Sequence, residues 1–269
     1  MRGFTSDVSK FLSEKRYKTW FLCLLSVFSF AFSTAASATD SKGTEFWLTF
    51  PANGGLGAVR MSLFIAGETA TSGTVSISDP VFTRTFDVTP GLVTTIDIPS
   101  DAMLVSPETV ENKGIYVTAD AEVTVYGLNL MDGSIDAYLG LPTDVLGTEY
   151  LTMNYANSDP LVIGLPPNFG IVATQDDTTV SVVPSADTSG NPSGVEFTIN
   201  MSQGQTYYIE GSSHDSDLTG TLITSDKPVA VFSGAECMEV PDGINFCDHI
   251  VEQMPPTSAW GREFVTLPL

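Results

Sequence analysis

After Gly43, apolar and polar side chains alternate almost without interruption. TVSIS (Thr74–Ser78), FDV (Phe86–Val88), TIDI (Thr95–Ile98) and VTVY (Val123–Tyr126) all have period two. That is the pattern of strands with one buried and one wetted face. Turn formers separate them: Asp79-Pro80, Pro90-Gly91, Asp176-Asp177 and Gln203-Gly204. No long stretch carries a helical stripe, and Ala102–Lys113 is the one segment that reads as a short helix or a long loop. The pattern predicts an all-β chain of short antiparallel strands.

The pattern also recurs. GTEFWLTF from Gly43, GTEYLTMN from Gly147 and GREFVTLP from Gly261 are near-copies of one phrase. Between them, Thr85–Ile96 lies on Thr198–Ile209, and Gly114–Tyr126 lies on Gly220–Phe232. Gly73–Ile77 lies on Thr178–Val182, and Pro142–Gly147 on Pro256–Gly261. A fixed order of matches predicts tandem repeats. The expected units are 39–146, 147–260 and the start of a third over 261–269. Six or seven strands per unit suit antiparallel β-sandwich-like units; a β-propeller is the alternative, although its blades are usually shorter. The strand FVTLPL (Phe264–Leu269) in this third unit is expected either to complete the sheet of the second unit or to be followed by further polypeptide.

Composition adds a destination. Residues 1–38 hold five basic residues and an apolar run from Trp20 to Phe32, and they end in the A-x-A pattern Ala36-Ser37-Ala38. This reads as a cleaved signal peptide, with an uncleaved signal anchor as the rival. The expected product is secreted or displayed at the cell surface, and no membrane insertion of the mature chain is expected. Beyond residue 38 the chain keeps six basic against thirty acidic residues. Such a surface repels nucleic acid. It leaves room for loosely held calcium, the one cofactor the charge suggests.

The units differ most where the chain reads GAECMEVPDGINFCDHIVEQMPP, holding Cys237 and Cys247. In an exported chain these two form a disulfide; with His249 nearby a metal is the other reading, but the spacing fits no zinc signature. The staple predicts a tight surface excursion, because Pro241, Asp242-Gly243 and Asn245 are turn formers. The segments before Ser233 and after Asp248 are then expected to be neighbours, with Val231 and Ile250 toward the core. The candidate binding loop comprises Met238, Glu239, Asp242, Asn245, Phe246, Asp248 and His249. Asp248, His249 and Glu252 resemble acid–base groups but lack a nucleophile motif, so His249 is expected to be held by a hydrogen bond at the loop base.

Other constellations are weaker. His214-Asp215-Ser216-Asp217 and Asp176-Asp177 read as solvated turns before they read as calcium ligands. Asp132–Asp136 is too short for an EF-hand loop. H-E-x-x-H, G-x-S-x-G and phosphate-binding glycine loops are all missing from the sequence. Carboxylates paired only in space would still permit glycoside hydrolysis.

SDKPVAVFSG (Ser225–Gly234), the two cysteines, CDHIVEQMPPTSAWGREFVTLPL (Cys247–Leu269) and GTEFWLTFP (Gly43–Pro51) resemble the N-terminal domain family of IgGFc-binding protein. That domain also occurs in many bacterial secreted proteins. The resemblance implies a non-enzymatic binding or adhesion module with a protein or glycan ligand. It implies the Cys237–Cys247 pair as the residues carried over, and it names no ligand-contacting residue. A carbohydrate-active enzyme and a structural spacer of a larger surface protein are the alternatives.

Overall fold

The computed structural model describes residues 40–156, 165–241, 244, 246–261 and 263. The leader, and the strand expected from Phe264 onward, lie outside these residues.

Alternation becomes strand as expected. The first ten strands are β1 (Gly43–Leu48), β2 (Phe50–Pro51), β3 (Leu56–Ala66), β4 (Thr71–Ile77), β5 (Phe82–Val88), β6 (Thr94–Ile98), β7 (Met103–Leu104), β8 (Val110–Glu111), β9 (Ile115–Asp132) and β10 (Ser134–Leu139). The long β9 organises one antiparallel sheet. Its first half pairs with β1 and β4, its second half with β3 and β10, and β5 and β6 form the outer edges. The two halves fold over one core and come close to a closed barrel. Val117, Val123 and Val125 of β9 meet Phe46, Leu63, Val75 and Phe86 there. Of the two readings of Ala102–Lys113, a short helix or a long loop, the structure is nearer the loop: a 3-10 turn (Ser100–Ala102) is followed by the two-residue strands β7 and β8. Too few apolar positions recur at helical spacing there to bury a helix face.

A second sheet follows, from β11 (Gly147–Leu151), β12 (Leu165–Ala173), β13 (Thr178–Val183), β14 (Phe197–Met201), β15 (Thr206–Glu210), β16 (Leu222–Met238) and β17 (Asp248–Gln253). Its long strand β16 pairs with β11, β12, β13 and β17. The registers run in step with those of the first sheet. Gly43 faces Val123 and Glu45 faces Thr118, with a bulge between; Gly147 faces Val229 and Glu149 faces Thr224, again with a bulge. Both opening glycines have the same reason to be glycine. A Cβ on Gly43 would sit 2.3 Å from Pro142 Cβ, and one on Gly147 would sit 2.6 Å from Pro256 Cβ. So the recurring G-T-E and P-T phrases are the two sides of one contact, made twice.

One match of the sequence comparison is displaced. Val75 faces Val117, whereas Val182, not Val180, faces Ile223. The alignment of Gly73–Ile77 with Thr178–Val182 is therefore out by two residues. A slip of two keeps every side chain on its own face, so the apolar pattern does not reveal it.

The two sheets share a boundary. In β16, Val229 and Val231 enter a core with Phe169 and Ile171, while Ala230 and Phe232 enter the core of the first sheet. That is why this strand reads PVAVFSGA without alternation, while its counterpart reads EVTVYG and leaves Tyr126 exposed. At the same boundary β10 lies beside β17, joined by side chains in place of a backbone ladder. Asp248 Oδ1 accepts from Ile135 N–H at 2.7 Å, Asp136 Oδ2 from Val251 N–H at 2.9 Å, and Gln253 Oε1 from Leu141 N–H at 2.7 Å.

Candidate functional site

Cys237 is the penultimate residue of β16 and Cys247 immediately precedes β17, so pairing those strands brings the two cysteines together. They form a disulfide, with Cα atoms 5.0 Å apart, inside the range such bonds require. The flanking strands are neighbours as expected, with Phe232 opposite Gln253 and Ala235 opposite Ile250. Val231 is fully buried, but Val251 and not Ile250 is the inward residue of β17. The bulge between Ala235 and Met238 changes the facing of the strand end.

The candidate loop divides into a buried base and an exposed excursion. Met238, Glu239 and His249 are 1, 1 and 2 % exposed, so they are not ligand-facing residues in this structure. Their positions in the base follow from strand pairing, which a loop-by-composition reading ignores. Phe246 is 96 % exposed in a left-handed backbone conformation (φ 84°), and Val240 and Ile244 are more than half exposed. Asp242 and Asn245 lie outside the described residues. Asp248 is exposed, yet its carboxylate is engaged by the N–H groups of Ile135 and His249.

His249 sits in a polar seam between the sheets. Its Nδ1 lies 2.9 Å from the Ala235 carbonyl oxygen and must carry the proton to donate there. Nε2 is then an acceptor, 3.5 Å from Asn129 Nδ2. Asn129 donates to the Pro51 carbonyl at 3.0 Å, and Ser134 Oγ accepts from His249 N–H at 2.8 Å. Burial pushes the imidazole below its ordinary pKa, and the Ala235 hydrogen bond and the nearby Asp136 and Asp248 carboxylates only partly oppose it. Neutral, buried and hydrogen-bonded on both sides, this imidazole joins two sheets.

Of the other acidic candidates, Asp215 and Asp217 brace their own turn, and Asp176 ties its turn to the one at Gln203. Asp215 accepts from Ser213 Oγ, Asp217 from Thr219 N–H, and Asp176 from Gln203 N–H. No group of three or more His, Cys, Asp or Glu side chains arranged for a metal occurs among the described residues.

Two carboxylate sites escape sequence reasoning, because each is assembled from distant strands. Glu108, at φ 56°, accepts from Thr188 Oγ1 (2.8 Å), Asn191 Nδ2 (2.9 Å) and Tyr207 Oη (2.8 Å). Burial first, then the hydrogen bond to Glu108 and last the Glu108 charge, raise the Tyr207 pKa. The other site holds Glu210 and Glu236 within hydrogen-bonding reach of one another, with Tyr208 Oη donating to Glu236 Oε1 at 3.2 Å. Burial, reinforced by the Glu210 charge, pushes Glu236 up to about 7. No spacing in the sequence signals either site.

Residues 136–269 match the family described as IgGFc binding protein. The chain is 27 % identical over 243 residues to the human IgGFc-binding protein, an alignment covering 86 % of this chain and 4 % of that protein. The chain thus spans a small fraction of that relative's length. No solved structure matches. The similarity is to a binding protein and not to an enzyme family.

Proposed function

We propose that this chain is an exported, non-enzymatic binding module of the IgGFc-binding protein family, built from two copies of one β unit. The observation that carries the reading is the stapled excursion: Val240, Ile244 and Phe246 are exposed on a segment tied at both ends by Cys237–Cys247. Large apolar side chains gathered on a constrained surface loop are a common protein-contact device, and loops on a rigid scaffold often carry recognition. The corresponding turn between β9 and β10 is only Gly133, so the excursion is what distinguishes the second unit. In-step registers across β1/β9 and β11/β16 support the two-copy reading. The family resemblance favours a protein or glycoprotein ligand.

Glycoside hydrolysis finds less support. Glu210 and Glu236 stand in mutual hydrogen-bonding reach, whereas that chemistry separates its carboxyl groups by about 5 Å or more.

The test is a binding panel of immunoglobulin Fc, mucin glycoproteins and glycans against the protein and its Ile244→Ser/Phe246→Ser double variant. Saturable binding weakened at least tenfold in the variant, at unchanged thermal midpoint, is expected. No saturable binding to any panel member, or equal binding by both proteins, removes the assignment.

A further inference from the structure

The face of the second sheet that looks toward the first carries a polar island. Asn168 of β12 lies opposite Glu210 of β15 on one side and Gly234 of β16 on the other. Directly paired residues project from the same face; at Gly234 the side-chain position is filled by the Ile250 carbonyl, 1.8 Å from where a Cβ would sit. Positions two residues along share that face too, which places Tyr208 and Glu236 there. The Tyr208–Glu236 hydrogen bond confirms the convergence.

Asn168 is fully buried, and neither its Oδ1 nor its Nδ2 has a hydrogen-bond partner among the described residues. An unsatisfied buried amide is costly and needs an explanation. Beside it, two carboxyl groups stand together on the inward face. Lys42, Lys113 and Lys227 are paired elsewhere, with Glu68, Glu111 and Asp226.

We propose that Glu210, Glu236 and the Asn168 carboxamide oxygen form a binding site for a divalent cation of the calcium type. Every donor is a hard oxygen, without sulfur or imidazole, which favours calcium over zinc or copper. A cation between the carboxylates replaces their mutual repulsion with attraction. It also gives Asn168 Oδ1 the partner it lacks, while its Nδ2 can donate to a metal-bound carboxylate. The upward displacement of both carboxyl groups without a cation has burial as its chief cause, and for Glu236 the Glu210 charge adds to it. A bound cation would reverse it.

Terbium tests the site directly, because Tyr208 Oη lies 3.2 Å from Glu236 Oε1 and tyrosine sensitises nearby terbium emission. The full chain is expected to show saturable, tyrosine-sensitised terbium luminescence that calcium displaces. Glu236→Gln and Glu210→Gln should each weaken calcium affinity at least tenfold by calorimetry. Tyr208→Phe should lower the luminescence while calcium still binds. Both Gln variants keep the fold's shape and remove a repulsive charge, so a thermal midpoint at or above wild type without calcium checks folding. Calcium affinity unchanged in both Gln variants overturns the proposal. So does a calcium response matched by sodium at equal ionic strength, which is diffuse screening or a proton shared by the pair.

Discussion

The rings of Tyr138 and Phe232 meet edge to face with centroids 5.0 Å apart, one from each sheet. Tyr138 lies over its cross-strand partner Gly127, where a Cβ would sit 2.3 Å from its ring, and its hydroxyl donates to the Thr49 carbonyl at 2.9 Å. Phe232 is the residue that β16 sends into the neighbouring core. The contact therefore joins the sheets through apolar burial and ring geometry together, each a recognised source of stability.

Phe232→Ala should lower stability by about 3–5 kcal/mol, the range for truncating a buried phenylalanine. Urea denaturation followed by tyrosine and tryptophan fluorescence measures it. A loss below about 1 kcal/mol would mean that the cores do not depend on each other at this point.

The disulfide closes a short loop, so its removal releases little chain entropy. Cys237→Ser/Cys247→Ser should lower stability by about 2–3 kcal/mol while the rest of the sheet still forms. Thermal unfolding of the two proteins, with thiol titration to confirm the bond in the parent, tests this. A fully unfolded double variant would show that the staple organises the β16–β17 pairing and does more than tie down its loop.

Strand content was legible because period two is a local signal, and β4, β5, β6 and the central part of β9 fall where alternation placed them. The cysteine pair was legible from spacing and export context. What stayed hidden depends on which strands become neighbours. The burial of Met238, Glu239 and His249 follows from the pairing of β17 with β16 beside β10. Glu108 reaches Thr188 and Tyr207 across about a hundred residues of chain. Asn168, Glu210 and Glu236 belong to three strands. The uninterrupted apolar run at Pro228–Phe232 was the one local hint that β16 is covered on both faces.

Glu108 should be a latch holding the segment before β8 to the second sheet. Glu108→Ala leaves the Tyr207 and Asn191 donors without their carboxylate and should cost about 1–3 kcal/mol. Glu108→Gly removes the same carboxylate but relieves the left-handed backbone, so it should be less destabilising than Ala by up to about 1 kcal/mol. Equal losses in the two variants, by chemical denaturation, would show that backbone conformation contributes nothing at this position.

Stability should respond to pH with two opposing signs. Glu236 has its folded pKa raised to about 7 from 4.5, so the folded protein binds the proton more tightly than the unfolded chain. Its contribution is fully present below pH 4.5 and is lost as pH rises toward 7. His249 is depressed below 6.5, so its contribution is present above pH 6.5 and is lost as pH falls. In calcium-free buffer, Glu236→Gln should therefore gain on the parent as pH rises from 5 to 7.5, by on the order of 1–2 kcal/mol after allowing for the partial exposure of Glu236. His249→Asn loses the seam hydrogen bonds at every pH, but its deficit should narrow below pH 6, where the parent must protonate a buried imidazole. Denaturation midpoints at four pH values separate the two. A Glu236→Gln difference that is flat across the range would show that this carboxyl titrates as it does in the unfolded chain, and a His249→Asn deficit that widens in acid would give His249 the opposite sign.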